Sequence, residues 1–343
     1  MKQQWIDFLR QQGAQNENLD FGNLPEELLS AQTATILAPL TDIGLIRVSG
    51  EDATDFLNNL LTNDVKSLSV DGVQRNGLCN PKGRLLATFM IWHEGADLML
   101  ALSADLHPAI LKKLSMYVLR SKVKLADASN ERMLIGLSGP QASNALADLG
   151  QIPSALLKST RIEQAQVMRL EEQRYLLAVD PSAAENLWPK LATLARPAGL
   201  MAWRWLDIQA GIPLISAATQ EEFIPQMINF EVIGGVSFKK GCYPGQEIVA
   251  RTQYLGKIKR RMYRAHLDTA VPAAGAPLYA AETGDQSCGR VVSSAAAPQG
   301  GNDLLAVIQA NCVEIGEVHL DSPSGPRLVF QPLPYALDAT TPA

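Results

Sequence analysis

A glycine-rich segment around one cysteine, residues 234–247, constrains the fold of this chain more than any other stretch. It reads GGVSFKKGCYPGQE, with four glycines, two lysines and Cys242. Gly241 and Gly245 permit positive φ angles, or close approach of another backbone, on either side of the thiol. Residues 246–251 are typical of a helix, so Cys242 is predicted to lie just before a helix N-terminus.

The sequence around Cys242 favours the thiolate form of its side chain. Lys239 and Lys240 lie close before it, and both positive charge and a helix dipole stabilise a thiolate. The alternative is an unreactive cysteine, because a free cysteine is often a small buried hydrophobe. No histidine occurs within ten residues of Cys242. The local sequence therefore does not indicate a Cys–His nucleophile pair, although a partner from elsewhere in the fold stays open.

Composition limits the class of protein. The chain of 343 residues is 47% hydrophobic and 19% charged, which is typical of a globular protein with two or three domains. The net charge of −5 argues against a protein built for general polyanion binding, but it allows a local basic patch. The amphipathic N-terminus has no secretory apolar region, and no run of about 18 apolar residues occurs. A cytoplasmic location is predicted.

The cysteine spacing predicts no intrinsic metal site. Cys79, Cys242, Cys288 and Cys312 form no C-x-x-C pair. This spacing is not typical of a disulfide framework, nor of a self-contained zinc or iron–sulfur site, whose ligands are usually close in sequence. The four histidines are scattered, which favours surface or core roles over metal ligation.

The order of strand-like and helix-like segments indicates an α+β fold rather than a doubly wound one. Two strands, a helix, three strands, a helix and a strand are predicted between residues 33 and 125, with a turn at residues 80–83. A second strand–helix–strand–strand–helix unit begins near Arg132. Beyond Lys259, short strands separated by turn residues indicate a small β-barrel. The predicted helices cover residues 52–61, 141–149, 185–195 and 203–211, and another is capped by residues 103–105 and reaches residue 119.

Several motifs resemble those of the folate-binding YgfZ family. Residues 240–247, KGCYPGQE, resemble its K-G-C-Y-x-G-Q-E signature. Further similar blocks are VSGEDATDFL at 48–57, TND at 62–64, CNPKGR at 79–84, RSKV at 120–123, and FIPQ at 223–226 with Asn229. The resemblance covers about residues 35–335. It implies a three-domain, aminomethyltransferase-like fold around a central folate channel, and a role in iron–sulfur cluster assembly or repair and in tRNA modification.

These observations divide the chain into four parts. An N-terminal helical extension covers residues 1–30. A discontinuous first α+β domain covers 31–128 plus 203–256, a second α+β domain covers 129–202, and the C-terminal β-barrel covers 257–335.

The resemblance also implies which residues around the thiol matter. Cys242 would be the reactive thiolate, with Lys239 and Lys240 beside it. The supporting motif residues are Gly241, Tyr243, Gly245, Gln246, Glu247 and Arg251. Of these, Gln246, Glu247 and Arg251 would fix the helix start and the loop, or alternatively act as ordinary capping residues on a solvated helix face.

A folate, tetrahydrofolate in the first place, is the cofactor that the resemblance implies. Trp203 stands where the family often has a pocket tryptophan, and an indole face can stack on a pterin ring. The alternatives are that Trp203 is a core residue at a domain interface, or that Trp205 takes its role. Ile43 replaces a second pocket tryptophan found in some members. Gln226 and Asn229 complete the predicted folate contacts.

One departure bears on catalysis. The related aminomethyltransferases, or T-proteins, usually carry an R-x-E-x-G pattern whose acid meets the folate. Here the matching positions hold Asp207, Gln209 and Gly211. Aminomethyl transfer needs an acid aimed at the pterin or the substrate amine. An accessory factor that binds folate is therefore favoured over a standard aminomethyltransferase.

Three functions are compatible with these residues. The first is a folate-dependent factor for iron–sulfur clusters, with Cys242 as a transient cluster ligand. Assembly proteins or client enzymes would then supply the other ligands, because one thiolate cannot hold a cluster. The second is direct tRNA binding by the basic, tyrosine-containing stretch 254–264, which is alternatively a charged linker into the barrel. The third, disfavoured by Asp207 and Gln209, is tetrahydrofolate-dependent aminomethyl transfer.

Overall fold

The fold was analysed in a computed structural model that describes residues 2–162, 164–256 and 258–337. Mixed helix and sheet content confirms the α+β class. The described chain divides into two compact units. Unit 1 comprises the described residues of Met1–Ala53, Ser67–Gln74 and Met90–Arg204, and unit 2 those of Thr54–Lys66, Arg75–Phe89 and Trp205–Ala343. The finer four-part division stays a prediction.

The helices of the described residues are mostly short. In chain order they are α1 (Lys2–Gln11), α2 (Leu24–Thr33), α3 (Ala53–Asn58), α4 (His107–Tyr117), α5 (Ala142–Ala147), α6 (Pro181–Leu191), α7 (Leu200–Gln209), α8 (Gln246–Tyr254) and α9 (Ala310–Ile315). None of the helices found there is long and apolar enough to cross a membrane.

The strands supply most of the framework. In chain order they are β1 (Ile36–Pro39), β2 (Ile43–Ser49), β3 (Val73–Cys79), β4 (Leu85–Glu94), β5 (Asp97–Ser103), β6 (Lys124–Asp127), β7 (Met133–Ser138), β8 (Lys158–Ile162), β9 (Ala165–Glu171), β10 (Arg174–Val179), β11 (Arg196–Pro197), β12 (Arg260–Leu267), β13 (Pro277–Ala280), β14 (Gly289–Ala296), β15 (Asn302–Gln309), β16 (Val318–Leu320) and β17 (Val329–Gln331).

Unit 1 contains a six-stranded sheet in the order β11-β1-β7-β10-β9-β8. The predicted hairpin between β9 and β10 is confirmed, whereas β8 was not predicted. Trp5 of α1 and Trp188 of α6 contact each other edge to face in the core beside this sheet. The N-terminal helix is therefore part of the packed core of unit 1, because burial of its tryptophan removes a large apolar surface from water.

A second group of strands in unit 1 places helix α4. Strand β2 pairs with β5 on one side and with β6 on the other. Helix α4 lies against β2 and β6 and buries His107, Ile110 and Leu114, which recur at helical spacing. The opposite face of α4 is left to solvent.

The C-terminal part of unit 2 confirms the predicted barrel-like sheet. Six strands follow the order β16-β13-β14-β15-β12-β17, and the sheet curls into a half-barrel. Its core includes Val291, Ala306 and Ile308, which are fully buried. Each predicted strand of this region corresponds to an observed one, and helix α9 is an addition that the turn signals did not indicate.

Helix boundaries are where the sequence predictions were wrong. The helix predicted at 52–61 ends at Asn58, and the one predicted at 141–149 ends at Ala147. The helix predicted from 185 begins at Pro181, since proline suits a first helical turn. The helix predicted at 203–211 covers Leu200–Gln209. Helix α4 begins at His107 without the predicted side-chain cap and ends at Tyr117.

A charged hydrogen-bond network joins helix α7 to the C-terminal sheet within unit 2. The Asp303 carboxylate accepts hydrogen bonds from Trp205 Nε1 and Gln209 Nε2, both at 2.8 Å. His266 lies 2.8 Å from Asp303 through Nδ1 and 3.2 Å from Asp268 through Nε2. Partial burial lowers the pKa of His266, but the hydrogen bonds to both carboxylates outweigh it, so the pKa is raised above the ordinary value.

This network predicts a pH-dependent contribution to stability. A raised pKa means that His266 stabilises the fold fully below its unfolded pKa of about 6.5 and loses that contribution as pH rises through the folded value. We expect His266→Gln to lower the free energy of unfolding more at pH 5.5 than at pH 9. Urea unfolding at both pH values measures this, and an equal loss at the two would contradict it.

Candidate functional site

The loop that carries Cys242 packs backbone to backbone against the turn between β3 and β4. Gly245 has φ +82°, and a Cβ atom there would lie 2.4 Å from the Asn80 carbonyl oxygen and 2.7 Å from Gly83 Cα. Gly83 has φ +73° and faces the Gly245 carbonyl. Only glycine combines this conformation with this proximity. The predicted close approach at Gly245 is therefore observed, while the space around Gly241 is open.

Cys242 is exposed, whereas Cys79, Cys288 and Cys312 are buried. Helix α8 begins at Gln246, so the thiol precedes a helix N-terminus as predicted. A shallow groove is lined by Pro81, Cys242, Tyr243, Gly245, Gln246, Glu247 and Ala250. The thiol of Cys242 is therefore accessible to a partner molecule. In two of the other cysteines, Cys79 and Cys288, burial raises the pKa of the thiol to about 12.

Lys240 anchors the loop rather than lying free beside the thiol. Its ammonium donates hydrogen bonds to the backbone carbonyls of Asn58, the last residue of α3, and of Leu61. It also lies 5.1 Å from the centre of the Tyr243 ring. Burial lowers the pKa of Lys240 to about 8, against an opposing effect of Asp64. Lysine is suited to this place because the carbonyls at a helix C-terminus attract cations.

Thr62 and Asn63, which follow helix α3, form hydrogen bonds to the glycine pair at the start of the segment 234–247. Thr62 Oγ1 donates to the Gly235 carbonyl at 2.7 Å and accepts from the Gly77 amide at 2.8 Å. Asn63 Nδ2 donates to the Gly234 carbonyl at 2.7 Å. From the sequence, the TND block at residues 62–64 was predicted only to close the preceding helix. Nothing in a local pattern shows that it bonds to residues about 170 positions away.

The other motif residues have distinct places. Tyr243 is buried, and burial raises the pKa of its hydroxyl. Gln246 and Glu247 lie in the first turn of α8, which is where residues that support a helix start must lie. Arg251 was predicted to share that role, but it lies in the last turn of the helix. Lys239 is exposed. The chemical roles assigned to these residues stay predictions.

The predicted folate contacts are distributed over both units. Trp203 and Ile43 belong to unit 1, and Gln226 and Asn229 to unit 2. Trp203 is buried: a Cβ atom on Gly136 would come within 2.4 Å of its ring, and the Arg174 guanidinium lies 4.2 Å from the ring centre. The ring is thus in close contact with protein atoms, as in the core alternative. Its role toward folate stays a prediction.

Gln226 and Asn229 lie in a buried polar centre. These two residues were predicted from the sequence, whereas the role of Glu231 in the same centre was not. Gln226 Nε2 donates to the Val249 carbonyl at 2.7 Å, and Asn229 Nδ2 donates to the Met262 carbonyl at 2.8 Å. The Arg261 guanidinium donates to the Gln226 carbonyl at 2.9 Å and pairs with the Glu231 carboxylate. Burial raises the pKa of Glu231, although Arg261 lowers it.

Two acceptors of this centre lack a donor among the described residues. They are Gln226 Oε1 and Glu231 Oε2, both buried. A buried acceptor without a hydrogen bond is costly. A pterin ring carries amino and ring N–H donors, so the donor set that a folate brings fits these two atoms.

Trp205, the predicted alternative to Trp203, and Gln209, which matches the glutamate of the aminomethyltransferase pattern, are both engaged within the fold of unit 2. Trp205 and Gln209 both donate to Asp303, and Gln209 Oε1 accepts from Arg264 at 2.7 Å. Gln209 therefore supports the fold of unit 2 and supplies no carboxylic acid.

The basic stretch 254–264 is not a continuous exposed surface. Arg261 pairs with Glu231, and Arg264 bonds to Gln209. Tyr263 packs edge to face against Phe330. Only Lys259 and Arg260 among its described cations are exposed, and Lys257 lies outside the described residues.

Metal-binding groups do not gather anywhere in the described part of the chain. No set of three or more His, Cys, Asp or Glu side chains there could hold an ion together.

Comparison with known proteins identifies the family. The family model described as "GCVT N-terminal domain" matches residues 15–240. The "tRNA-modifying protein YgfZ" of Yersinia pseudotuberculosis serotype O:1b (strain IP 31758) is 33% identical over 306 residues, covering 88% of this chain and 92% of that one. The chain belongs to the YgfZ family. The protein of the same name from Shigella dysenteriae serotype 1 (strain Sd197) is 30% identical over 313 residues, 90% and 96% of the two chains.

A solved structure shows the fold that this YgfZ-family chain shares. The glycine cleavage system aminomethyltransferase T from Bartonella henselae superposes with a TM-score of 0.78, over 97% of both chains, at 20% identity. The aminomethyltransferase-like fold predicted from the sequence is thereby confirmed. At this identity the likeness concerns the fold and carries no catalytic residue with it.

The backbone packing beside Cys242 predicts different effects at two glycines of the YgfZ signature. We expect Gly245→Ala to cost ~1–3 kcal/mol of unfolding free energy, because alanine at this φ is strained and its Cβ would meet the Asn80 carbonyl. Gly241→Ala should change stability by less than about 0.5 kcal/mol, since no atom lies within 4 Å of its Cβ position. Urea unfolding compares the two, and equal costs would refute the packing argument.

Proposed function

We propose that this YgfZ-family chain is a folate-binding accessory factor that serves iron–sulfur cluster assembly or repair, and through iron–sulfur enzymes supports tRNA modification. One observation carries the proposal. Of the four cysteines, Cys242 alone is exposed, and it lines a groove just before helix α8. A rigid, glycine-packed loop that presents one thiol is suited to chemistry with a partner.

The thiol would act in a complex, either as one transient ligand of a cluster or by engaging the sulfur of a partner. The thiolate is the form of a cysteine that binds iron. One thiolate cannot hold a cluster, and no set of three or more His, Cys, Asp or Glu side chains gathers among the described residues to hold an ion. The cluster is therefore substrate rather than resident cofactor, and assembly proteins or client enzymes supply its other ligands. Lys239, exposed beside the loop, would add positive charge.

Folate would be bound by Gln226 and Asn229 of the predicted set, together with Glu231. Gln226 Oε1 and Glu231 Oε2 would accept hydrogen bonds from pterin N–H groups, because both are buried acceptors without a donor. Asn229 would hold the shape of this centre through its bond to Met262. The role of Trp203 and Ile43, which belong to unit 1, toward folate stays a prediction. A bound tetrahydrofolate supplies one-carbon chemistry or acts as a regulatory ligand.

Direct action on tRNA is the second candidate, and the name of the relatives, "tRNA-modifying protein YgfZ", is what favours it. An effect on tRNA through client iron–sulfur enzymes accounts for the same name. Aminomethyl transfer is a weaker candidate, because Gln209 is an amide that is already bonded to Asp303 and Arg264.

Replacing the exposed thiol tests the cluster proposal. In cells whose only copy carries Cys242→Ala, we expect the activity of an iron–sulfur dehydratase to fall to the level of a strain that lacks the protein. Cys312→Ala is the matched control, because it removes a buried thiol of the C-terminal core. Immunoblots verify equal abundance. Undiminished dehydratase activity in the Cys242→Ala strain would reject the thiol as the acting group.

Calorimetric titration of the purified protein with 5-formyltetrahydrofolate tests the folate proposal. We expect Gln226→Met to weaken binding about tenfold, which is the order of one lost hydrogen bond to a buried group. Gln220→Met is the control, since Gln220 Nε2 also donates to a carbonyl, that of Leu86, in the same unit. Equal affinity of the Gln226→Met variant and the unaltered protein would exclude Gln226 from the folate site.

A further inference from the structure

A second basic segment, residues 112–124, is positively charged although the whole chain is negatively charged. It reads KKLSMYVLRSKVK and contains five cations and no acid, in a protein of net charge −5. It covers the end of helix α4, the turn after it and the first residue of β6. We call its exposed side chains the α4–β6 surface.

The fold of unit 1 turns these cations outward. Helix α4 buries Ile110 and Leu114, so Lys112 and Met116, one turn apart, lie on an exposed face. Arg120, Lys122 and Lys124 follow and are exposed as well. This contrasts with the stretch 254–264, whose Arg261 and Arg264 point inward.

Carboxylates neutralise little of the positive charge on the α4–β6 surface. Glu51 pairs with Lys122 at 2.6 Å, both side chains being exposed. The Asp52 carboxylate accepts the Lys122 backbone N–H at 2.7 Å. No carboxylate of a described residue forms an ion pair with Lys112, Arg120 or Lys124. These three cations remain available to an anionic partner.

Apolar side chains stand among the cations. Met116 is 61% exposed, Tyr117 40% and Leu119 89%. Leu119 has φ +44°, a conformation that is costly for a residue other than glycine and is often kept for function. Tyr117, Leu119 and Arg120 line one hollow together with Asp52 and Ser121.

We propose that the α4–β6 surface binds tRNA, with phosphates on Lys112, Arg120 and Lys124 and an unpaired base against Tyr117 and Leu119. Cations interleaved with an exposed aromatic ring fit single-stranded nucleic acid, since phosphates need charge and bases need a stacking surface. The exposed tyrosine beside the hollow offers the stacking surface that an unpaired base needs. The proposal is independent of Cys242 and of folate, and it adds a direct contact with tRNA to the indirect route.

Fluorescence anisotropy of a labelled tRNA transcript with the full chain tests this. We expect Arg120→Gln with Lys124→Gln to weaken binding at least tenfold in 50 mM KCl, and to reduce the slope of log Kd against log salt by about 1 to 2. Lys259→Gln with Arg260→Gln is the matched control, because it removes the same charges from the exposed part of the other basic stretch; its affinity should stay within twofold. Tyr117→Ala should weaken binding about tenfold with an unchanged salt slope.

Three results would overturn the proposal. Equal losses in the two double variants would mean that tRNA responds only to overall charge. No saturable binding of tRNA by the unaltered protein would exclude the ligand. If tRNA does not bind while the Arg120→Gln, Lys124→Gln variant loses a co-purifying acidic protein, the surface is a protein-docking site. Circular dichroism of each variant confirms that it is folded.

Discussion

The close packing of two backbone turns is the constraint on which the environment of Cys242 depends. Gly245 and the Asn80–Gly83 turn approach within distances that exclude any Cβ atom, and Lys240 fixes the same loop to the carbonyls after helix α3. The loop therefore has little freedom although it lies at the surface. A thiol on such a loop is presented in one place without being buried, which distinguishes it from the three core cysteines.

The fold also separates cations that bond inside the protein from cations that are exposed on its surface. Arg261 and Arg264 are used inside unit 2, where they satisfy Glu231 and Gln209. The cations of residues 112–124 stay outside, beside Tyr117 and Leu119. A count of basic residues along the chain cannot separate these two cases, because the groups that engage Arg261 and Arg264, Glu231 and Gln209, are distant from them in sequence.

Much of the fold was predictable because its signals are local. The turn at residues 80–83, the hairpin of β9 and β10 and all six C-terminal strands follow from alternation and turn residues. Helix ends were predicted poorly: α3 ends at Asn58 although Leu60 and Leu61 beyond it are still buried, and α4 ends at Tyr117. The roles of Thr62 and Glu231 could not be predicted, because their partners are distant in sequence.

The α+β class, the barrel-like C-terminal sheet, the resemblance to the YgfZ family and the position of Cys242 before a helix all follow from the amino-acid sequence alone. Each of these rests on residues that are near one another in the chain. Three features are visible only in the folded chain: the exposure of Cys242, the packing of Trp203 against Gly136 and Arg174, and the bonds of Lys240 to carbonyls that follow helix α3. Exposure and partnership depend on which distant segments meet, and that is set by packing of the whole core.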